Sequence, residues 1–152
     1  MDLPARWMTR ALTLAVEAAD AGEVPVGAVL ALPDGTFFEG RNRVEAEGPL
    51  RHAEMVALQA AIESLGRRGL SEAVLYVTLE PCLMCLGAMV QARIGGLVYA
   101  CGEPRFGGVD TLRQLWHDGR YPHRFPVASG AGEREARDLL QGYFRDRRLD
   151  KG

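Results

Sequence analysis

No run of apolar residues in this 152-residue chain reaches the roughly 18 that a membrane-spanning helix needs. A secretory signal is missing from the start as well: in MDLPARWMTRALTLAVEAAD the apolar positions are periodic rather than continuous, and acidic residues interrupt them. Charge of one sign is not in excess. Lys+Arg number 18 against 20 Asp+Glu, a formal net charge of -2, so bulk charge argues neither for nor against a nucleic-acid partner. Internal repeats, low-complexity tracts and linkers are also missing, which predicts one domain spanning residues 1–152. At that length, folding buries roughly two-thirds of the unfolded surface. Cysteine and histidine are scarce, at three each. Three cysteines without an export signal predict a reducing, cytoplasmic setting, where a Cys-x-x-Cys pair is more often metal-binding or catalytic than a structural disulfide.

What is present is regular patterning. Trp7, Met8, Ala11, Leu12, Ala15 and Ala19 recur at helical spacing, with Gly22 as the stop. The run from Val26 to Leu32 predicts a buried strand, PDG at Pro33–Gly35 a turn, and TFFEG the start of a returning strand. Arg41 to Leu50 reads as a loop, and His52 to about Leu65 as a helix stopped by Gly66. Ala73 to Leu79 and Gly96 to Cys101 read as strands. Between them Pro81 fits the first turn of a helix running to about Arg93. A short helix at TLRQLW, a strand at RFPVAS and an amphipathic helix from Glu133 to about Arg148 complete the chain. The order is α-β-β-α-β-α-β-α-β-α. It predicts an α/β fold in three α/β/α layers, with a five-stranded mixed sheet covered by helices on both faces.

Two short motifs carry the chemistry. In LRHAEMVALQAA, His52 and Glu54 open a helix; in TLEPCLMC, Cys82 and Cys85 stand three apart where another begins. In the first turn of a helix both sulfurs project from one face, and the free N–H groups and dipole there favour thiolate. Two thiolates and a neutral imidazole form a three-ligand zinc site whose fourth position stays open, as in catalytic rather than structural zinc. The remaining candidates do not compete. His117 and His123 lie in the polar stretch WHDGRYPHRF and read as exposed loop residues, and Cys101 ends a strand and reads as packing. Positions two apart on a helix face different ways, so Glu54 reads as a proton carrier beside the zinc-activated water rather than as a ligand. Alone, either motif means little. Together, with Pro81 before Cys82, they match the pattern of zinc-dependent base deaminases.

On these residues the chain resembles the cytidine deaminase-like superfamily, and within it the bacterial tRNA adenosine deaminases, which convert wobble adenosine to inosine. The likeness runs from about Arg6 to Arg148 and includes WMTRALTLA, GEVPVGAVL, GRNR, AVLYVTLEPCLMC and LLQGYFRDRR. It implies one Zn2+ per subunit on His52, Cys82 and Cys85, with Glu54 as proton shuttle. It further implies Asn42 and Val26 at the target base or ribose, and a homodimer that binds the tRNA anticodon loop. Arg145, Arg147 and Arg148 are candidates for phosphate contacts.

One segment departs from the family pattern. In CGEPRFGGVDTL, Glu103 stands where an Asp is expected and Arg105 where a Lys is, while Phe106 replaces a Thr and Asp110 a Gly. Glu103 and Arg105 keep the charge signs of an anticodon-contacting run. Arg51 stands where a small residue is usual. These differences bear on substrate rather than chemistry. They keep open a deaminase of a free nucleobase or nucleoside (guanine, cytosine or a related ring), and also a silent zinc-stabilised partner subunit.

Overall fold

The computed structural model describes residues 3–66 and 68–151. In chain order the elements are α1 (Ala5–Asp20), β1 (Gly27–Ala31), β2 (Phe37–Arg41), α2 (Val44–Glu47), α3 (Ala53–Leu65) and β3 (Val74–Leu79). There follow α4 (Leu83–Ala92), β4 (Gly96–Cys101), α5 (Val109–His117), β5 (Val127–Ser129) and α6 (Glu133–Lys151). The five strands form one sheet in the order β2-β1-β3-β4-β5. β1 runs antiparallel to both β2 and β3, whereas β3, β4 and β5 are parallel. Among the described residues no helix is long and apolar enough to cross a membrane.

The apolar strands bury side chains on both faces because alternate residues point opposite ways. Ala28, Leu30, Leu75, Val77 and Leu97 join the core beneath α3, α4 and α5, with Ala53, Ala57, Cys85, Met89, Val109 and Leu112. Their neighbours Val29, Ala31, Tyr76, Val98 and Ala100 join a second core, with Trp7, Met8, Ala11 and Leu14 of α1 and Ala136 of α6. The three-layer expectation holds.

Two expectations need correcting. The segment Arg41 to Leu50 is not wholly loop: Val44–Glu47 forms a helical turn. It stands because both oxygens of the buried Glu23 accept the N–H groups of Glu45 and Ala46, at 2.8 and 3.0 Å. Pro81 lies outside the first turn of α4, because Cys82 is the N-cap and the helix begins at Leu83. The Pro81 carbonyl instead accepts the N–H of Gly108 at 2.9 Å.

The close fit of α3 on β2 depends on Gly40. A Cβ built there would lie 2.7 Å from the amide nitrogen of Ala57, so only glycine lets that helix approach and fixes what its N-terminus carries.

Candidate metal centre and active site

The topology gathers the site at one end of the sheet. Val26 precedes β1, Asn42 follows β2, Glu80 follows β3 and Glu103 follows β4. Because β1 is antiparallel to its neighbours, its start lies beside the ends of the others. This is the end where open α/β sheets place ligands, beyond the carboxyl ends of parallel strands.

His52 is the N-cap of α3 and Cys82 the N-cap of α4, both with extended backbone. Those two helix starts face each other. Nδ1 of His52 lies 3.7 Å from Sγ of Cys82 and 3.5 Å from Sγ of Cys85, and the two sulfurs are 3.8 Å apart. A tetrahedral zinc with Zn–S about 2.3 Å and Zn–N about 2.0–2.1 Å sets its sulfurs about 3.8 Å apart and each sulfur about 3.5 Å from the nitrogen. The triad fits that ion without rearrangement. It is also the only group of three or more such ligand residues clustered among the described residues.

The donors are electrostatically prepared. The hydrogen bond shared with Cys85 outweighs burial and brings Cys82 down to about 3. The same contact, with burial, pushes Cys85 above the ordinary thiol range. The pair thus holds one proton between two sulfurs. His52 is raised, first by its hydrogen bond to Cys82.

A cavity of about 290 Å³ opens beside the triad, lined among others by Val26, Asn42, His52, Glu54, Glu80 and Cys82. Glu54 is only 4 % exposed, and burial pushes its carboxyl up to about 7. A carboxyl of that strength beside a three-ligand metal site suits proton transfer near neutral pH. Oδ1 of Asn42 accepts the N–H of Ala53 at 2.9 Å. That bond supports the start of α3 and leaves the Nδ2 hydrogens of Asn42 for another acceptor.

Residues 1–101 match the family of the cytidine and deoxycytidylate deaminase zinc-binding region. The chain belongs to that deaminase family. It is 38% identical to the tRNA-specific adenosine deaminase of Bacillus subtilis over 146 residues, covering 95% of this chain and 91% of that protein. It is 39% identical to that of Agrobacterium fabrum over 145 residues, covering 95% of each. Among solved structures, one from a study of A-to-I editing by tRNA:A34 deaminases at the wobble position aligns with a TM-score of 0.82. It is 38% identical and covers 90% of this chain and 100% of that one. A guanine deaminase from Nitrosomonas europaea aligns at TM-score 0.75 with 25% identity, covering 94% and 85%. The fold is thus the cytidine deaminase-like one, and the triad fits the zinc ion for which the family is described.

The other residues singled out in the sequence divide between the cavity and its surroundings. Glu103 and Phe106 line it. Arg105 does not. It lines a wider groove of about 1180 Å³ that adjoins the cavity and shares Val24, Glu45, Glu103 and Phe106 with it. The far wall of that groove is α6, with Tyr143, Phe144, Arg145, Arg147 and Arg148. Of those arginines, Arg147 is held by the Gly22 carbonyl at 2.7 Å and stacks over the Tyr143 ring. Arg145 and Arg148 are exposed and form no hydrogen bond or ion pair among the described residues.

Arg51 does not line the cavity. Its Nε faces the Glu47 carboxyl at 3.8 Å and its carbonyl accepts the N–H of Arg43 at 2.9 Å, so it braces α2. Cys101 is buried, as expected. His117 is exposed on the last turn of α5, but His123 is no plain loop residue: it is partly buried, its Nε2 hydrogen-bonds the Ile94 carbonyl at 2.8 Å, and its ring rests against Phe125. Neither Glu80 nor Glu23 stands out in the sequence, yet both line the cavity.

Proposed function

We propose that the protein is a zinc-dependent hydrolase that deaminates adenosine to inosine at the tRNA wobble position. It acts as a single-domain subunit of a homodimer in the cytoplasm. His52, Cys82 and Cys85 would hold one zinc ion per subunit, which when bound lowers the pKa of water to near neutrality and so supplies a nucleophile. Glu54 takes a proton from water as the water oxygen bonds the ring carbon that bears the amino group, and gives it to the amino nitrogen as the carbon–nitrogen bond breaks and ammonia leaves; the second water proton ends on the ring nitrogen. A carboxyl near 7 can do both at neutral pH. Val26 packs against the ring, and Asn42 donates from Nδ2 to the base or its ribose. Glu103 and Arg105 meet the anticodon loop at the rim. A base in that loop is already unpaired, so turning it into the cavity costs less than from a duplex.

The observation that carries the tRNA reading is the groove. A free-base enzyme needs only a small closed pocket, whereas this cavity adjoins a groove of about 1180 Å³ lined by Phe106, Tyr143 and Phe144 together with Arg105, Arg145, Arg147 and Arg148. Rings stack bases and arginines meet phosphates, as single-stranded RNA requires. The relatives and the solved structure named for tRNA adenosine deamination point the same way. The dimer is supported by large apolar side chains exposed in segments bordering the site, with Leu50 63% and Leu83 55% exposed. The compartment is supported by three free cysteines, two of which must stay reduced to bind metal as thiolates.

A second reading, deamination of a free purine or pyrimidine, is favoured by the altered segment from Cys101 to Leu112 and by the guanine deaminase neighbour. An ammonia-release panel of an anticodon stem-loop, guanine, cytosine and adenosine separates the two. Ammonia from the stem-loop alone is the expected result.

A further inference from the structure

We infer that Glu80 is a positioning residue that ties the substrate-facing segment after β4 to the strand and helix that carry the zinc cysteines. The inference rests on the deaminase reading of the site but on neither choice of substrate. Glu80 stands two residues before Cys82, and its own N–H donates to the Cys101 carbonyl at 2.8 Å. Its side chain then reaches across. Oε1 accepts the N–H of Glu103 and Oε2 the N–H of Val109, each at 3.1 Å. One carboxyl therefore holds both ends of residues 103–109, the segment whose Glu103 and Phe106 line the cavity beside His52 and Glu54.

The segment is wrapped tightly around that carboxyl. Gly107 donates to the Glu103 carbonyl at 3.1 Å and Gly108 to that of Pro81 at 2.9 Å. A Cβ on Gly107 would lie 2.5 Å from Oε2 of Glu80 and 2.6 Å from the Glu103 carbonyl oxygen. Any side chain there must expel the carboxyl. Glu80 and Gly107 thus form one device seen from two sides. Glu103 and Phe106 are thus placed by a carboxyl that lies upstream, beside the metal ligands.

The test uses full-length zinc-loaded protein with Glu80→Ala, Glu80→Gln, Gly107→Ala and the double variant Glu80→Ala/Gly107→Ala. Amide exchange at Glu103 and Val109, read by mass spectrometry, should quicken roughly tenfold or more in both alanine variants. Zinc content should not change. On whichever substrate wild type turns over best, kcat/KM should fall roughly tenfold to a hundredfold, with KM carrying most of it. The double variant should be no worse than the worse single one, since each breaks the same clamp. Glu80→Gln, which keeps one acceptor oxygen, should fall between. Unchanged exchange in Glu80→Ala would overturn the clamp. Loss of zinc, or a fall in kcat with KM unchanged, would overturn its positioning role and leave a merely structural one. If wild type deaminated a free base and not the stem-loop, the tRNA reading would fail. The exchange result, and the KM shift on that base, would still decide the clamp.

Discussion

In the proposed mechanism Glu54 is the residue on which the chemistry turns. It is buried, shares the cavity with His52 and Cys82, and is not part of the ligand triad. Glu54→Gln preserves shape but cannot carry the proton. Turnover should fall roughly a hundredfold to ten-thousandfold, while metal analysis still finds one zinc per chain. Retained activity would remove Glu54 from the mechanism. The triad makes a second prediction. Cys85 and His52 both hold protons more tightly than usual in the metal-free protein, whereas Cys82 holds its proton less tightly. Zinc must displace those protons, so uptake at pH 7 should release between about one and two of them. The sign follows: as pH falls, protons compete better and zinc affinity drops. Calorimetry in buffers of different ionisation enthalpy reads the number. These four residues were legible in the sequence because histidine and cysteine are scarce and the spacing is chemically restrictive. Glu80 and Glu23 were not. Among 20 acidic residues nothing local marks two that fold inward to accept backbone N–H groups.

Among the elements, α3 matters most to the proposed mechanism, because its N-cap and first turn deliver His52 and Glu54 together. Its seat is Gly40. Gly40→Ala forces the helix off β2 and should destabilise the protein by about 1–3 kcal/mol, as overpacking does. Deamination should fall further than that loss explains, because the floor of the site moves. Denaturant unfolding and kinetics on the same sample check both. The sheet and its flanking helices could be read from periodicity, since buried strands and amphipathic helices leave strong patterns. The α2 turn could not. Four residues carry no period, and its stability comes from Glu23, some twenty positions upstream. The start of α4 differs from its expected place for a related reason. Proline suits a first helical turn, but here the Pro81 carbonyl bonds to Gly108 and leaves Cys82 as the cap.

For the whole molecule, a net charge of -2 concealed an arginine-bearing channel. Arg145 and Arg148 face it without partners among the described residues, whereas Arg147 is tied to Gly22. Changing Arg145 and Arg148 together to alanine should weaken stem-loop binding. It should also lower the slope of log affinity against log salt by roughly 1.4 to 1.8, about 0.7–0.9 for each phosphate no longer neutralised. The same pair should leave zinc content unchanged, because neither arginine belongs to the ligand triad. Fluorescence anisotropy across a salt series measures the slope. The order of the chain places the two motifs on helix starts, the sheet brings those starts to one end, and the groove adjoins them there. The most direct measurement is nucleoside mass spectrometry of an anticodon stem-loop bearing a wobble adenosine, incubated with zinc-loaded wild type and with Glu54→Gln. Stoichiometric inosine with wild type and none with the variant is the result predicted. An unedited stem-loop, together with ammonia released from guanine or cytosine, would contradict the tRNA account.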